Sequence, residues 1–389
     1  MKDVQTIINK YYQDYSKIRR EIHMHPELGM QEYKTQKIII ETLNKLSIEN
    51  HKLFETGVVG LIKGKYPGKT ILLRADMDAL EIDELANVDY KSKISGIMHA
   101  CGHDGHVAGL LGAAMVLNNL KDELHGNVKL MFQPAEEKDG GAKQMIELGI
   151  LENPKVDAAV GIHLESLANR GQVITKIGAM MSATDRFKIK IVGRGGHAAT
   201  PHLSVDPIVI GANVITLMQN IRSRYINTLY PAVLSITKFH GGDIFNVIPN
   251  TIEIEGTIRA FDQNVINEMQ IAMDKILQGQ ALATDCTYEF EYIKEFPAVI
   301  NNKELTELAN NSISKIINKE DLIKLEEPKM GGEDFSYLGE KVPSTFIYVG
   351  ISETGKPKPI AHNPYFEWND ESLKTSVAVF TQIVLDYLK

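Results

Sequence analysis

The sequence predicts an α/β protein of two domains, in which a smaller α+β domain is inserted into a larger one. In the first half, short apolar runs that end in polar residues alternate with a helical pattern, which is typical of an open α/β sheet. Near residue 184 the order of elements changes to βαββαβ. The length of 389 residues also exceeds what one ordinary hydrophobic core organises.

The first part of the chain opens with two helical patterns, which His25-Pro-Glu-Leu-Gly29 separates because proline and glycine break helices. Strand-like apolar runs follow. Each ends in residues that can bind a ligand, and such sites lie beyond the carboxyl ends of the strands in open α/β sheets, so we expect one shared crevice. The predicted elements are helices 5–23, 31–46 and 106–120 and strands 70–75, 128–133 and 157–162.

The βαββαβ order matches the split βαβ, ferredoxin-like unit. Its predicted elements are strand 186–192, helix 205–223, strands 232–239 and 251–259, helix 264–282 and strand 286–293. After it we predict helix 303–317, a loop at 331–334, strand 344–349 and helix 371–388. The predicted domains are therefore 1–179 (catalytic, first part), 180–296 (lid or dimerisation domain) and 297–389 (catalytic, second part).

The composition excludes several classes of partner. The net charge is −8, and the basic residues are scattered, so we expect no nucleic-acid partner. No apolar run reaches membrane-spanning length, and the first residues lack the apolar core of a signal peptide. With only Cys101 and Cys286, a disulfide framework is not expected, and a reducing cytoplasm fits best.

The segment His99-Ala-Cys-Gly-His-Asp-Gly-His106 carries the strongest chemical signal. Cys101 and His103 stand two apart before a helix, where a thiolate and a neutral imidazole can converge on one ion such as zinc. A buried cysteine is often only a small hydrophobe, but that interpretation does not explain the clustering. We expect His99 and His106 to orient the ligands through hydrogen bonds.

Further candidate ligands follow other predicted elements. His163 follows a strand, and His362 lies between the last strand and the last helix. Glu136 and Glu137 are adjacent after a strand, where extended chain points neighbours in different directions, so one can hold metal while the other faces bound water.

Five ligands, more than one tetrahedral ion needs, predict two ions with a bridging water, and Glu136 would accept the proton of that water. Asp76 or Asp78 would brace a ligand imidazole. The five predicted ligands are Cys101, His103, Glu137, His163 and His362.

Over essentially its full length the chain resembles the aminoacylase and carboxypeptidase family of dinuclear metallohydrolases. Within that family it is similar to the amidohydrolase branch of auxin-conjugate hydrolases, hippurate hydrolases and N-acetyldiaminopimelate deacetylases. The matching stretches, in the order of the family, are RREIHMHPELGMQE (19–32), LLRADMDAL (72–80), MHACGHDGH (98–106), FQPAEE (132–137), GIHL (161–164), GRGGHAATP (193–201), NVIPN (246–250), GTIRAF (256–261), GGEDFSY (331–337) and AHNPYF (361–366).

The resemblance implies a mixed-sheet, metallopeptidase-like catalytic domain with a ferredoxin-like lid. It implies that the five ligands above bind two divalent ions and that Glu136 is the general base. It places Cys101 where most relatives carry a bridging aspartate. The metal stays open, because zinc, manganese, cobalt and nickel all suit mixed sulfur, nitrogen and oxygen ligands.

The resemblance also implies roles for residues outside the metal site. His197 would polarise the scissile carbonyl from the lid, in some relatives across a dimer interface. Asn246 and Arg259 would hold a substrate carboxylate, for which a planar guanidinium is apt. Gly331 and Gly332 would border the acyl or side-chain pocket.

We therefore predict a cytoplasmic, homo-oligomeric, metal-dependent amidohydrolase that cleaves N-acyl-amino acids. A dipeptidase or carboxypeptidase on the same scaffold is the enzyme alternative, since it would differ only in what fills the acyl pocket; its substrate would be a short peptide. A metal-holding interaction module is the non-enzyme alternative. Glu136, His197 and Arg259 argue against that module, because holding metal requires none of the three.

Overall fold

The computed structural model describes residues 4–138 and 140–389. The chain divides into two compact units. The larger unit comprises Met1–Met180, Ile300–Glu327 and Asp334–Lys389, and the smaller unit comprises Met181–Val299 and Pro328–Glu333. The short return of the chain to the smaller unit at 328–333 differs from the prediction, which placed all of 297–389 in the larger domain.

The elements are named here in chain order. The helices are α1 (Val4–Met24), α2 (Tyr33–Lys45), α3 (His103–Leu120), α4 (Gly141–Glu147), α5 (Pro207–Asn220), α6 (Gln263–Thr284), α7 (Lys303–Ile313), α8 (Ser336–Gly339) and α9 (Ser372–Tyr387). The strands are β1 (Glu49–Lys52), β2 (Val58–Lys63), β3 (Tyr66–Asp76), β4 (His125–Gln133), β5 (Ala158–Asn169), β6 (Val173–Thr175), β7 (Gly178–Met181), β8 (Ala183–Val192), β9 (Gly196–His197), β10 (Ala232–His240), β11 (Val247–Ile248), β12 (Thr251–Ala260), β13 (Thr287–Phe296), β14 (Val299–Asn301), β15 (Leu322–Lys324) and β16 (Ser344–Ser352).

The larger unit is built on an eight-stranded sheet with the order β1-β2-β4-β3-β5-β16-β6-β15. Its central strands β4, β3, β5 and β16 run parallel, whereas β2 joins β4, and β6 joins β16, in antiparallel pairs. All of β16 is buried, as expected for a central strand covered on both faces. The prediction of a mixed α/β sheet is confirmed.

Helix α3 is the centre of the larger core. Almost every residue of this helix is buried, as in a helix that is apolar on all sides. It contacts α1 on one side and α9 on another. Gly112 permits this approach, because a Cβ at that position would lie 2.6 Å from Val377 and 2.9 Å from Tyr15. The close packing fixes the start of α3, where the histidine-rich segment lies.

The smaller unit has the predicted βαββαβ order, built from β8, α5, β10, β12, α6 and β13. Its four strands are antiparallel in the order β10-β12-β8-β13, and α5 and α6 contact each other and the sheet. Asp206 and Asp262 cap the two helices by accepting hydrogen bonds from backbone amides. The ferredoxin-like prediction for this unit is confirmed.

Some elements differ from the prediction. Strand β5 continues to Asn169, so His163 lies within the strand and not after its end. Helix α7 ends at Ile313, four residues before the predicted end. Over residues 4–138 and 140–389, no helix combines the length and apolarity needed to cross a bilayer.

Candidate metal centre

The elements of the larger unit bring the predicted ligands to one edge of the sheet. Strands β3 and β4 are parallel neighbours, and their last residues, Asp76 and Gln133, are register partners. The segments that follow them therefore leave the sheet side by side. They carry Asp78 and Glu137, while His163 comes from β5 on the other side of β3.

All five predicted ligands fall into two groups that share one sulfur. Cys101, His103 and His163 form the first group, and Cys101, Glu137 and His362 form the second. Within each group the candidate ligand atoms lie within 4.8 Å of one another. A shared thiolate between two ligand sets is the arrangement that two neighbouring ions require.

The separations within the two groups are close to those of metal ligands. Cys101 Sγ lies 3.5 Å from His163 Nε2 in the first group, and Glu137 Oε1 lies 3.1 Å from His362 Nε2 in the second. Between the groups, Glu137 Oε1 lies 3.9 Å from His103 Nε2. Ligand bonds of roughly 2.0–2.3 Å in a tetrahedral site put neighbouring ligand atoms about 3.3–3.8 Å apart. The donor set therefore suits a borderline divalent ion.

Asp78 braces both ligand groups. Its Oδ1 lies 3.2 Å from His103 Nδ1, and its Oδ2 accepts a hydrogen bond of 3.0 Å from the backbone amide of Glu137. With the His103 proton held on Nδ1, the lone pair of Nε2 is free for a metal, and this buried atom has no hydrogen-bond partner among the described residues. Of the two aspartates predicted to brace an imidazole ligand, Asp78 occupies that position.

Asp76 instead orients His106. Its Oδ1 lies 2.5 Å from His106 Nδ1, and Leu164 donates its backbone amide to His106 Nε2 over 2.9 Å. Both ring nitrogens of His106 are therefore engaged by the chain, so His106 holds the chain beside His163. His99 is fully buried, and burial lowers its pKa to about 3.

The charges of the cluster favour a cation. Burial raises the pKa of the Cys101 thiol, so a nearby cation is needed to hold it as a thiolate at neutral pH. Burial alone would lower the pKa of His103, but the charges of Asp76 and Cys101 and the hydrogen bonds to Asp78 and Cys101 together outweigh it and raise that pKa. Hydrogen bonds to Cys101 and then Glu137 raise the pKa of His362 to about 10. Metal binding must displace these protons.

A buried charge network lies behind the ligands. Arg19 donates to Asp104 Oδ2 over 2.7 Å and to Asp370 over 2.9 Å, and His23 bridges Asp104 and Glu84. Burial alone would raise the pKa of Asp104, yet the charges of Arg19 and His23 hold it well below its usual range. Since Asp104 follows His103 directly, this network fixes the first turn of α3.

A second network was missed by the sequence reasoning. Buried Arg74 donates to Gln133 over 2.8 Å, to Asp76 over 2.7 Å and to Asp334 over 2.8 Å. Gln133 also donates to Asp334 over 2.7 Å. The sequence does contain one sign of this network, namely an arginine inside the apolar run Thr70–Ala75. A buried guanidinium requires carboxylate partners.

In the smaller unit, a backbone hydrogen bond determines which ring nitrogen of His197 can donate. It lies on β9, which pairs with β11 so that His197 faces Val247 in register. The amide of Ala199 donates to His197 Nδ1 over 3.0 Å. A neutral His197 therefore carries its proton on Nε2, and this exposed side chain can donate a hydrogen bond from that atom.

Arg259 lies on β12 and is tied to the segment 328–333. Its Nη1 donates to the carbonyl of Met330 over 2.8 Å. The amide of Ser182 donates to the carbonyls of Lys329 and Gly331, each over 3.0 Å. Gly332 lies against Thr184, whose Oγ1 would be 2.5 Å from a Cβ at that position. The segment that carries Gly331 and Gly332 is therefore packed next to Arg259 within the smaller unit.

Within one chain, Asn246 and Arg259 lie at opposite ends of β12. Arg259 pairs with Thr184 near the last residue of the strand, whereas Asn246 precedes Thr251, its first residue. The strand between them is roughly 26 Å long at about 3.3 Å per residue. Within one chain, therefore, the structure does not bring Asn246 and Arg259 together around one anion. This differs from the prediction that both hold the same substrate carboxylate.

Candidate metal ligands at one end of a mixed sheet, with the further carboxylate of Glu136 within 4.8 Å of His103 and Glu137, are the groups that a metal-dependent hydrolase requires. The model of Peptidase family M20/M25/M40 matches residues 72–386. The chain belongs to this family.

Three relatives illustrate the similarity. The chain is 42% identical over 344 residues to Thermostable carboxypeptidase 2 of Saccharolobus solfataricus, covering 87% of this chain and 86% of that protein. It is 41% identical over 305 residues to N-acyl-L-amino acid amidohydrolase of Geobacillus stearothermophilus, covering 78% and 82%. The crystal structure of Bacillus subtilis YXEP protein, described as a dinuclear metal binding peptidase, matches with a TM-score of 0.84 and 33% identity, covering 98% and 99%.

Proposed function

We propose that this chain hydrolyses the amide bond of N-acyl-amino acids, with two divalent ions held by the two ligand groups. The sharing of Cys101 between these groups is the observation that carries the proposal. Similarity to an N-acyl-L-amino acid amidohydrolase and to a dinuclear metal binding peptidase supports it. Zinc, manganese, cobalt and nickel each suit these ligands.

Glu136 is the proposed general base. Bound divalent ions lower the pKa of a coordinated water toward neutrality and so supply the nucleophile. Glu136 is 8% exposed and lies beside His103 and Glu137, and no predicted ligand group depends on it. Its carboxylate takes the proton of the attacking water and delivers it to the leaving amine, so that the amide C–N bond breaks with a neutral amine as product.

His197 is the proposed electrophilic residue. The hydrogen bond from Ala199 to Nδ1 leaves the proton on Nε2, which donates to the carbonyl oxygen of the scissile amide as negative charge develops there. Arg259 binds the free carboxylate of the substrate, while its bond to Met330 holds the guanidinium in place. Gly331 and Gly332, which follow Met330 in the chain, would border the acyl or side-chain pocket.

A homodimer would allow Asn246 and Arg259 to act on one substrate although they lie far apart within one chain. Since they lie at opposite ends of β12 in one chain, we propose that His197 and Asn246 act on a substrate held by the partner subunit. Strand β10 is the edge of the smaller sheet and exposes Phe239 to 37%, and the neighbouring helix α5 exposes Val209 to 57% and Leu217 to 38%. An unpaired edge beside apolar side chains suits two-fold pairing with a second copy.

A carboxypeptidase or dipeptidase is the second candidate. Similarity to Thermostable carboxypeptidase 2 favours it, and the reaction uses the same groups. We also propose a reducing, cytoplasmic setting, because the Cys101 thiol must stay reduced to bind metal.

The test is a substrate panel with metal-loaded protein. N-acetyl and N-benzoyl amino acids, dipeptides and the matching amino-acid amides would be compared for the wild type and Arg259→Ala. We expect hydrolysis of the N-acyl acids, and a loss of about 10- to 100-fold in kcat/KM for the variant on carboxylate substrates only. Preference for dipeptides would select the second candidate. Equal losses on acids and amides would reject the role of Arg259.

A further inference from the structure

The motif Arg19–Glu32 contributes Arg19 and His23 to the charge network behind the ligands, and its last residue is buried next to the segment that carries Glu136 and Glu137. Glu32 is fully buried. Its Oε1 accepts a hydrogen bond of 2.9 Å from the backbone amide of Ala135, and its Oε2 accepts one of 2.5 Å from the hydroxyl of Thr56. Ala135 directly precedes Glu136 and Glu137.

The backbone at Ala135 needs outside support. Its φ is 53°, in the left-handed region that side-chain-bearing residues rarely adopt. Such a conformation is unfavourable for a residue that carries a Cβ and persists only where the surroundings enforce it. The turn is closed on its other side by the amide of Gly140, which donates to the carbonyl of Ala135 over 3.0 Å.

Gly29 supplies a second restraint from the same motif. A Cβ at Gly29 would lie 2.9 Å from the Cβ and 3.0 Å from the Cα of Ala135. The bare backbone of Gly29 therefore allows contact that a side chain would block. Ala135 is therefore restrained twice: Glu32 binds its backbone amide, and Gly29 packs against its Cα and Cβ.

We infer that Glu32 is a positioning residue for the turn Ala135–Glu137, and that it sets the directions of both the proposed base and the proposed ligand. The inference rests on the proposed roles of Glu136 and Glu137. Without the acceptor at Oε1, the amide of Ala135 loses its buried partner and the strained turn relaxes. Two functions should then weaken together, namely turnover through Glu136 and ion binding through Glu137.

The experiment compares variants on both sides of this contact. Glu32→Ala removes the acceptor, Glu32→Gln keeps an acceptor oxygen, Thr56→Val removes the donor to Glu32, and Gly29→Ala presses on Ala135. Glu27→Ala is the matched control, because Glu27 lies in the same motif and accepts from the amides of Lys34 and Thr35. Gly279→Ala controls for the glycine change, since a Cβ there meets nothing within 4 Å.

Two measurements separate positioning from mere stability. The first is Co²⁺ titration of the metal-free protein, followed by the thiolate-to-cobalt absorption of Cys101. The second is the steady-state kinetics of the loaded enzyme. We expect Glu32→Ala and Gly29→Ala to weaken Co²⁺ binding and lower kcat by about 10- to 100-fold, with little change in KM. Glu32→Gln should stay within about 3-fold of the wild type, and Thr56→Val should lie between the two.

The outcomes are distinct. If Glu32→Ala matches Glu27→Ala, with a lower melting temperature but unchanged Co²⁺ affinity and kcat, the inference is overturned. If Glu32→Ala does not fold, Thr56→Val and Gly29→Ala decide, and wild-type values in both overturn it. A fully active Glu136→Gln would reject the proposed function, whereas the Co²⁺ titration would still report on the turn.

Discussion

At the scale of residues, the two adjacent glutamates differ in what surrounds them. The amide of Glu137 is held by Asp78, and its carboxylate lies 3.1 Å from His362. Glu136 lies beside the ligands but belongs to neither of the groups that share Cys101. This difference supports the proposed assignment of ion binding to Glu137 and of proton transfer to Glu136.

Glu136→Gln should therefore keep its metal and lose turnover. The amide side chain has nearly the same shape but cannot accept the proton of the attacking water. We expect kcat to fall about 10²- to 10⁴-fold while metal content, measured by elemental analysis, stays at the wild-type level. A parallel loss of metal and rate would show that Glu136 is a ligand and that the two roles are reversed.

Glu32 should make the metal-free protein less stable as the pH rises. Burial raises the pKa of its carboxyl from 4.5 to about 7. Between these values the folded protein keeps a proton that the unfolded chain has released, so stability falls with rising pH, by up to about 3 kcal/mol. Glu32→Gln cannot ionise, and urea unfolding should show it gaining stability relative to the wild type from about pH 5 to pH 8. If the difference in the free energy of unfolding between Glu32→Gln and the wild type stayed constant across that range, the prediction would be contradicted. Glu27→Gln is the control.

At the scale of elements, the Arg74 network joins strands β3 and β4 to the start of α8. Its guanidinium and the carboxylate of Asp334 are both buried, and the amide of Ala142 also donates to Asp334 over 3.0 Å. Their separation in the sequence, from 74 to 334, is too large for spacing to reveal the pair. The motif GGEDFSY carries the family resemblance, but its pattern does not predict that Asp334 is buried against Arg74.

Asp334→Ala should be strongly destabilising. Removing the carboxylate leaves part of the Arg74 charge buried without compensation, which typically costs about 3–5 kcal/mol. Denaturant unfolding of the metal-free protein should show this loss. Asp83→Ala, at a position where the side chain accepts one exposed amide hydrogen bond from Gly96, serves as the control. Equal and small losses in both variants would mean that Asp76 and Gln133 are sufficient partners for Arg74.

The sequence predicted the elements that carry strong periodicity and the ligands that cluster in short motifs. It placed His163 after a strand, whereas β5 continues past it, because the polar residues Glu165 and Ser166 ended the apolar pattern before the strand itself ended. It predicted, from the family resemblance, that Asn246 and Arg259 hold one substrate carboxylate. The extended strand β12 separates the two residues within one chain, and a resemblance between motifs does not show which chain supplies each residue.

At the scale of the whole molecule, the proposed site requires residues from two chains. Mixing His197→Ala with Glu136→Gln subunits tests this, since a mixed dimer would hold one intact site. With random pairing of subunits, about half of the dimers are mixed, and each mixed dimer has one intact site of two. We therefore expect recovery of roughly a quarter of wild-type activity after subunit exchange. No recovery, in a sample shown by light scattering to contain dimers, would place His197 and Glu136 of one chain in the same site.

The most direct test of the two-ion centre is the metal content of active protein. After anaerobic reconstitution with Zn²⁺ or Mn²⁺ and removal of excess ions, activity is titrated against bound metal measured by elemental analysis. Two equivalents per chain at full activity are expected, with a clear loss of bound metal in Cys101→Ala, because both ligand groups share that sulfur. Full activity at one equivalent, or an unchanged metal content in Cys101→Ala, would contradict the shared-thiolate centre.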